Sequence, residues 1–196
     1  MSRTVEMLSI RRFLSTLAIG AWVATVASAQ STGSTDHVLP ADTAVRTGVL
    51  PNGLRYYVRH NGWPAHRAEL RLVVNAGSVL EDDDQRGLAH FLEHVAFDGT
   101  THFPKHALIH YLQSAGMTFG ADVNAHTSFD ETVYQLTVPT DSAAVLGQGL
   151  QILEDWAHNL TFDSAEIDRE RRVVIEEWRL GRGAGARIGA RADSAV

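Results

Sequence analysis

Apolar and polar positions along the chain fall into blocks of two different periods. Residues 13–27 are apolar or small and carry no charge, and a polar stretch follows from residue 30 to residue 43. Residues 47–50 and 54–59 flank Pro51-Asn52-Gly53, a turn signature that predicts a β-hairpin. Residues 68–76 alternate in part and end before Gly77, which predicts a third strand. Leu88, Phe91, Leu92 and Val95 then follow i, i+3, i+4 and i+7, the apolar stripe of a helix expected to pack on a sheet. His90, Glu93, His94 and Phe97 repeat that spacing two positions later, about 200° round the same helix. Pro104 suits the first turn of another helix running to residue 115, where Gly116 stops it. Strands are expected over residues 119–127 and 132–139, and helices over 142–159 and 164–180. Asp163 and Glu166 are spaced as a capping box for the last helix. Strands joined by hairpins and grouped with helices predict an α+β fold, a mixed or antiparallel sheet packed on helices.

Composition narrows the chemistry. With 196 residues, 44% hydrophobic and 20% charged, the chain can bury a core of ordinary size. A formal net charge of −6 argues against nucleic acid as the main partner, because a phosphate-binding surface needs a basic excess. There is no cysteine, so disulfides, thiolate zinc sites, cysteine nucleophiles and lipoprotein acylation are all excluded. Histidine and carboxylates remain as metal ligands.

Residues 1–29 read as a secretory signal peptide: Arg3, Arg11 and Arg12 precede the apolar run, and Ala27-Ser28-Ala29 offers a cleavage site. The apolar run is short for a membrane span, and a non-cleaved anchor is the alternative. Arg11-Arg12 hints at twin-arginine export, but Phe13 follows the pair without a spacer, which favours general secretion. Residues 30–43 read as a linker and 44–196 as the folded domain, exported and without a stable membrane anchor.

Two histidines at i and i+4 direct their rings to one point beside the helix, as two positions of a tetrahedral zinc site require. Glu93 lies on the same face and is free to act on water. The competing reading of the pentad HFLEH is a solvated polar face. His102, His106 and His110 form a rival histidine run, but Pro104 puts His102 outside the helix and no carboxylate is placed to activate water, so a solvated face is expected there. The acidic run 81–84 reads as a solvated turn that complements the helix dipole. In the last helix Ile167, Glu170, Val174 and Glu177 share a stripe, and carboxylates among aliphatic residues need a partner. Ligation by these acids and a surface helix laced with ion pairs are equally compatible with that pattern.

Four segments together, LPNGLRYYV, GLAHFLEHVAFDGT, FGADVNAHTSFDETVY and ERRVVIEEWRLGRG, resemble the pitrilysin/insulinase zinc peptidases. In these the HxxEH pentad reverses the HExxH of thermolysin-like enzymes. The resemblance runs from about residue 45 to residue 180 and is nearest to the exported bacterial branch, which implies a periplasmic location. It implies one zinc ion held by His90, His94 and Glu177, with Glu93 as the base that activates water and Glu170 supporting the ligands. Glu176 is the runner-up for third ligand. Asn124 and Ala125 fall on the family's edge strand, where an extended peptide substrate is held. The spacing from His94 to Glu177 is longer than usual and implies a small insertion. Family members close on substrate with a homologous second half, which implies that residues 44–196 are an N-terminal metallopeptidase domain, truncated at its C-terminal end, or a subunit with a partner. Metal binding is expected of this chain and cleavage of the complete protein. The alternative is a zinc-binding inactive fragment or a non-catalytic partner subunit.

Overall fold

The structure is a computed structural model that describes residues 40–183, with Gly185 and Ile188. The expected signal peptide and most of the expected linker lie outside the described residues. The chain divides into two compact units, Met1–Val58 and Arg59–Val196.

The first unit holds a two-stranded hairpin of β1 (Val45–Val49) and β2 (Arg55–Arg59), apart from the last residue of β2. Its turn is built as the sequence predicts: Gly53 takes a left-handed φ of 89°, and the Asn52 side chain accepts from the Leu54 amide at 3.1 Å.

In the second unit β3 (Arg67–Val74), β4 (Val123–Thr127) and β5 (Thr132–Pro139) form an antiparallel sheet in the order β3-β5-β4. Leu70 lies opposite Leu136, Ala125 opposite Tyr134 and Thr127 opposite Thr132. The central strand is the most buried, with Val133, Tyr134, Leu136 and Val138 inside, and both β3 and β4 are edges. Helix α3 (Ala143–His158) lies on β3 and β5. It comes close because Gly149 faces the sheet, where an added Cβ would sit 2.9 Å from Leu70 Cδ1 and 3.0 Å from Val138 Cγ1. Ile152 and Leu136 are fully enclosed at 0% exposure, and each contributes about 1.5–3 kcal/mol by leaving water. Trp156 stacks on Tyr134 and donates its indole N–H to the Ala96 carbonyl at 3.1 Å, which ties α3 to the end of α1 (Leu88–Val95). Helix α4 (Ser164–Leu180) packs against α1. The α+β architecture with an antiparallel sheet on helices is therefore as predicted.

Three local expectations are corrected. Helix α2 (Ala107–Ser114) starts three residues after Pro104, because Lys105 takes a left-handed φ of 53° that no α-helix continues. Strand β4 starts at Val123 rather than at residue 119, because Gly120 turns the chain with φ 86°. On α1, Leu88 and Leu92 are exposed, whereas Val95 and Glu93 are buried. Part of the chemical face therefore points inward and half of the apolar stripe does not.

Candidate metal centre

Helix α1 is short and begins after Gly87, whose φ of 89° turns the chain into it. Its first amides are satisfied from a distance: the Glu81 carboxylate accepts from Gly87 N and from Ala89 N, both at 2.7 Å. Within the acidic run, Glu81 thus caps the helix while Asp83 pairs with Arg86, in keeping with the expected complement to the dipole.

From the next turns His90 and His94 bring their rings to 4.8 Å at an interplanar angle of 84°. Their Nε2 atoms lie 3.2 Å apart. Glu177, from the last turns of α4, places Oε2 3.4 Å from His94 Nε2 and 3.6 Å from His90 Nε2. Zinc bonds of about 2.0–2.1 Å arranged tetrahedrally put neighbouring ligand atoms about 3.3–3.5 Å apart. The three atoms are spaced like one face of that tetrahedron, so the donor set fits a zinc ion. Among the described residues this is the group of histidines and acids that could hold a metal.

Glu170 sits two turns before Glu177 on α4 and meets His94 Nδ1 at 3.2 Å. With Nδ1–H donating to this carboxylate, the Nε2 lone pair faces Glu177 and His90. Glu170 is in turn held by Arg169 at 3.2 Å, and Arg169 also meets Asp98, Glu166 and His106. Burial, and then the nearby charge of Glu170, pushes the Asp98 carboxyl up to about 6 against the pull of Arg169. Exposure is graded across the group, from 13% and 19% for the Glu170 and His94 side chains to 41% and 47% for His90 and Glu177. Access is therefore from the His90–Glu177 side, where a cavity of about 660 Å³ is lined by Leu88, Phe91, Val174 and Trp178 along with those two residues. Glu176 is turned away and meets Arg179 at 3.3 Å.

Glu93 is 9% exposed and its Oε2 accepts from the Thr127 hydroxyl at 2.7 Å. Burial, and then the negative charge of Glu93, pushes the Tyr134 phenol up to about 12. Thr127 ends β4, the edge strand packed against α1. Asn124 and Ala125 lie on the same strand, where the Asn124 side chain is exposed and accepts from the Ala125 amide at 3.0 Å.

The rival histidines do not gather. His110 is exposed, His106 meets Arg169, and His102 precedes α2 and binds Asp155. The sequence pattern did not reveal Glu81 as a cap, Arg169 as the support of Glu170, or Thr127 beside Glu93. The Glu81 and Thr127 contacts join different elements, and Arg169 and Glu170 are neighbours on one helix whose side chains meet at a spacing that helical periodicity does not mark.

The profile of the family described as Insulinase (Peptidase family M16) matches residues 57–180. A probable zinc protease, PqqL, of Haemophilus influenzae is 42% identical over 156 residues, covering 80% of this chain and 17% of that protein. The probable zinc protease PqqL of Escherichia coli is 44% identical over 141 residues, covering 72% of this chain and 15% of that protein. The crystal structure of the first half of the periplasmic protease PqqL from Escherichia coli superposes with a TM-score of 0.74 at 42% identity, over 78% of this chain and 32% of that one. The chain thus spans about a sixth of the length of these curated relatives. No helix among the described residues is long and apolar enough to cross a membrane. With a profile match over most of its length and relatives named as zinc proteases, the chain belongs to the insulinase family of peptidases.

Proposed function

We propose that residues 44–196 form the metal-bearing part of a zinc metalloendopeptidase that cleaves extended peptides, with one zinc ion held by His90, His94 and Glu177. The observation that carries this reading is the convergence of three ligand atoms at 3.2, 3.4 and 3.6 Å, the spacing of a tetrahedral face. Glu170 fixes the His94 tautomer and Glu176, engaged with Arg179, is not needed. Zinc in such a site polarises the scissile carbonyl and makes water acidic enough to be deprotonated near neutral pH.

The remaining work falls to side chains of this chain. Glu93 accepts a proton from the attacking water on its free oxygen and returns it to the leaving amine. Beyond Val123, whose backbone meets Thr118 and Gly120, no strand lies on the outer side of β4 among the described residues, so a peptide can add there as a further strand by displacing the Asn124 side chain from the Ala125 amide. Asn124 and Ala125 then lie beside the bond to be cut. The larger relatives support a homologous second half as partner, which would close over the peptide. The basic, apolar and small-residue sequence of residues 1–29 supports export to the periplasm, followed by the linker 30–43.

In the complete polypeptide, Glu93→Gln is expected to keep zinc and lower kcat by about 10²–10⁴-fold in a fluorogenic peptide assay. Turnover at the wild-type rate would remove Glu93 as the base.

A further inference from the structure

Glu93 approaches its task with one oxygen already engaged. Its Oε2 accepts from Thr127 Oγ1 at 2.7 Å, and Thr127 Oγ1 also lies 3.3 Å from Thr132 Oγ1 across the β4–β5 pair. Thr132 Oγ1 donates to the Ala76 carbonyl at 2.9 Å. Each hydroxyl has one hydrogen to give. The Thr132 hydrogen is committed to the Ala76 carbonyl, so Thr132 can only accept from Thr127, and at 3.3 Å it is a longer, uncharged competitor to the carboxylate at 2.7 Å. The Thr127 hydrogen goes to the shorter contact, the Glu93 carboxylate. Thr132 is 6% exposed and Glu93 9% exposed, so bulk water has little access with which to replace these bonds.

The consequence is directional. A carboxylate at the end of a three-torsion side chain can present either oxygen, but a hydroxyl fixed on a strand selects Oε2 and leaves the other oxygen for water. Alternation along β4 puts Ala125 and Thr127 on the half-buried face toward α1, while Asn124 and His126 are exposed on the other. The strand assigned to hold substrate therefore also holds the base.

The geometry points to Thr127 as the positioning residue for the Glu93 carboxylate, fixing which oxygen handles the proton. This rests on the reading of Glu93 as the base. The test uses Thr127→Val, which keeps the β-branched shape and removes the hydroxyl, and Thr127→Ser, which keeps the hydroxyl. In the complete zinc-loaded polypeptide Thr127→Val is expected to lower kcat about 10–100-fold with KM within about twofold and zinc content unchanged, and Thr127→Ser to recover most of kcat. In metal-free protein the Thr127 hydroxyl proton is expected to give a slowly exchanging NMR signal that is lost in Glu93→Ala. Wild-type kcat in Thr127→Val, equal losses in Thr127→Val and Thr127→Ser, loss of zinc or folding in Thr127→Val, or a rapidly exchanging hydroxyl each overturns the role. Glu93→Gln run alongside separates the two readings. An active Glu93→Gln removes the base itself, whereas an inactive Glu93→Gln beside a fully active Thr127→Val removes only the positioning.

Discussion

His94 and His102 each meet a carboxylate through Nδ1, at 3.2 Å from Glu170 and 2.7 Å from Asp155, yet the two pairs are built for opposite ends. Asp155 is fully buried and spends its oxygens inside the protein, accepting from the Thr100 hydroxyl, the His102 amide at 3.2 Å and the Asn159 amide group at 3.1 Å. Burial alone would raise the Asp155 carboxyl, but the hydrogen bonds from Thr100, His102 and Asn159 outweigh it and hold the group below its ordinary value. That network closes the loop before α2 onto α3, and no metal-holding group forms there among the described residues. Around His94 the balance is reversed. Glu170 satisfies only Nδ1, and the Nε2 atom turns toward His90 Nε2 and Glu177 Oε2, which supply no proton when neutral His90 carries its hydrogen on Nδ1 and Glu177 is ionised. A histidine–carboxylate pair is therefore not a signature of chemistry by itself. Converging lone pairs with access from one side are.

The contrast can be broken at either pair. His94→Ala is expected to weaken zinc binding by roughly 10³-fold, about one ligand's share of a zinc-binding free energy near 10–16 kcal/mol. Competition with a chromophoric chelator measures it, and an unchanged affinity would take His94 out of the centre. Asp155→Ala should act in the other direction, costing about 3 kcal/mol in urea unfolding through the donors it orphans, with zinc affinity unaltered. Because the folded-state value of Asp155 is depressed, its contribution is present above the unfolded value of 3.8 and is lost as pH falls below it. The smallest expected effect sharpens the comparison: Glu170→Gln keeps an acceptor for His94 but loses the charge, and should weaken zinc by about 10–100-fold. An effect on unfolding with none on zinc would place Glu170 with Asp155 rather than with the ligands.

How much of this was legible in the sequence depended on whether a pattern was local. The bounds of β5 and α4 follow directly from alternation and from Asp163, which accepts from the amides of Ala165 and Glu166 as a cap should. The reciprocal arm of the expected capping box is spent otherwise, since the Glu166 carboxylate meets Arg169. The start of α2 was not legible, because Pro104 is compatible with a helix and only the backbone at Lys105 rules it out. On α1 the period separates two stripes but does not say which one faces the protein. Burial of Glu93 and Val95, with Leu88 and Leu92 in solvent, is decided by β4 and α4, which arrive later in the chain. The spacing of His90 and His94 could be read at once, whereas their distance to Glu177 depends on how the final helix docks.

That final helix has a property of its own. No residue of α4 is fully buried, and its inward line of Ile167, Glu170 and Val174 is only half covered. It meets α1 through the histidines that contact Glu170 and Glu177. On the proposed reading of these atoms as zinc ligands, local opening of α4 would depend on their occupancy. An ion at a thousandfold excess over its Kd adds about 4 kcal/mol to the cost of lifting the helix away. Resistance of α4 to nicking by cellular proteases would then track metal supply.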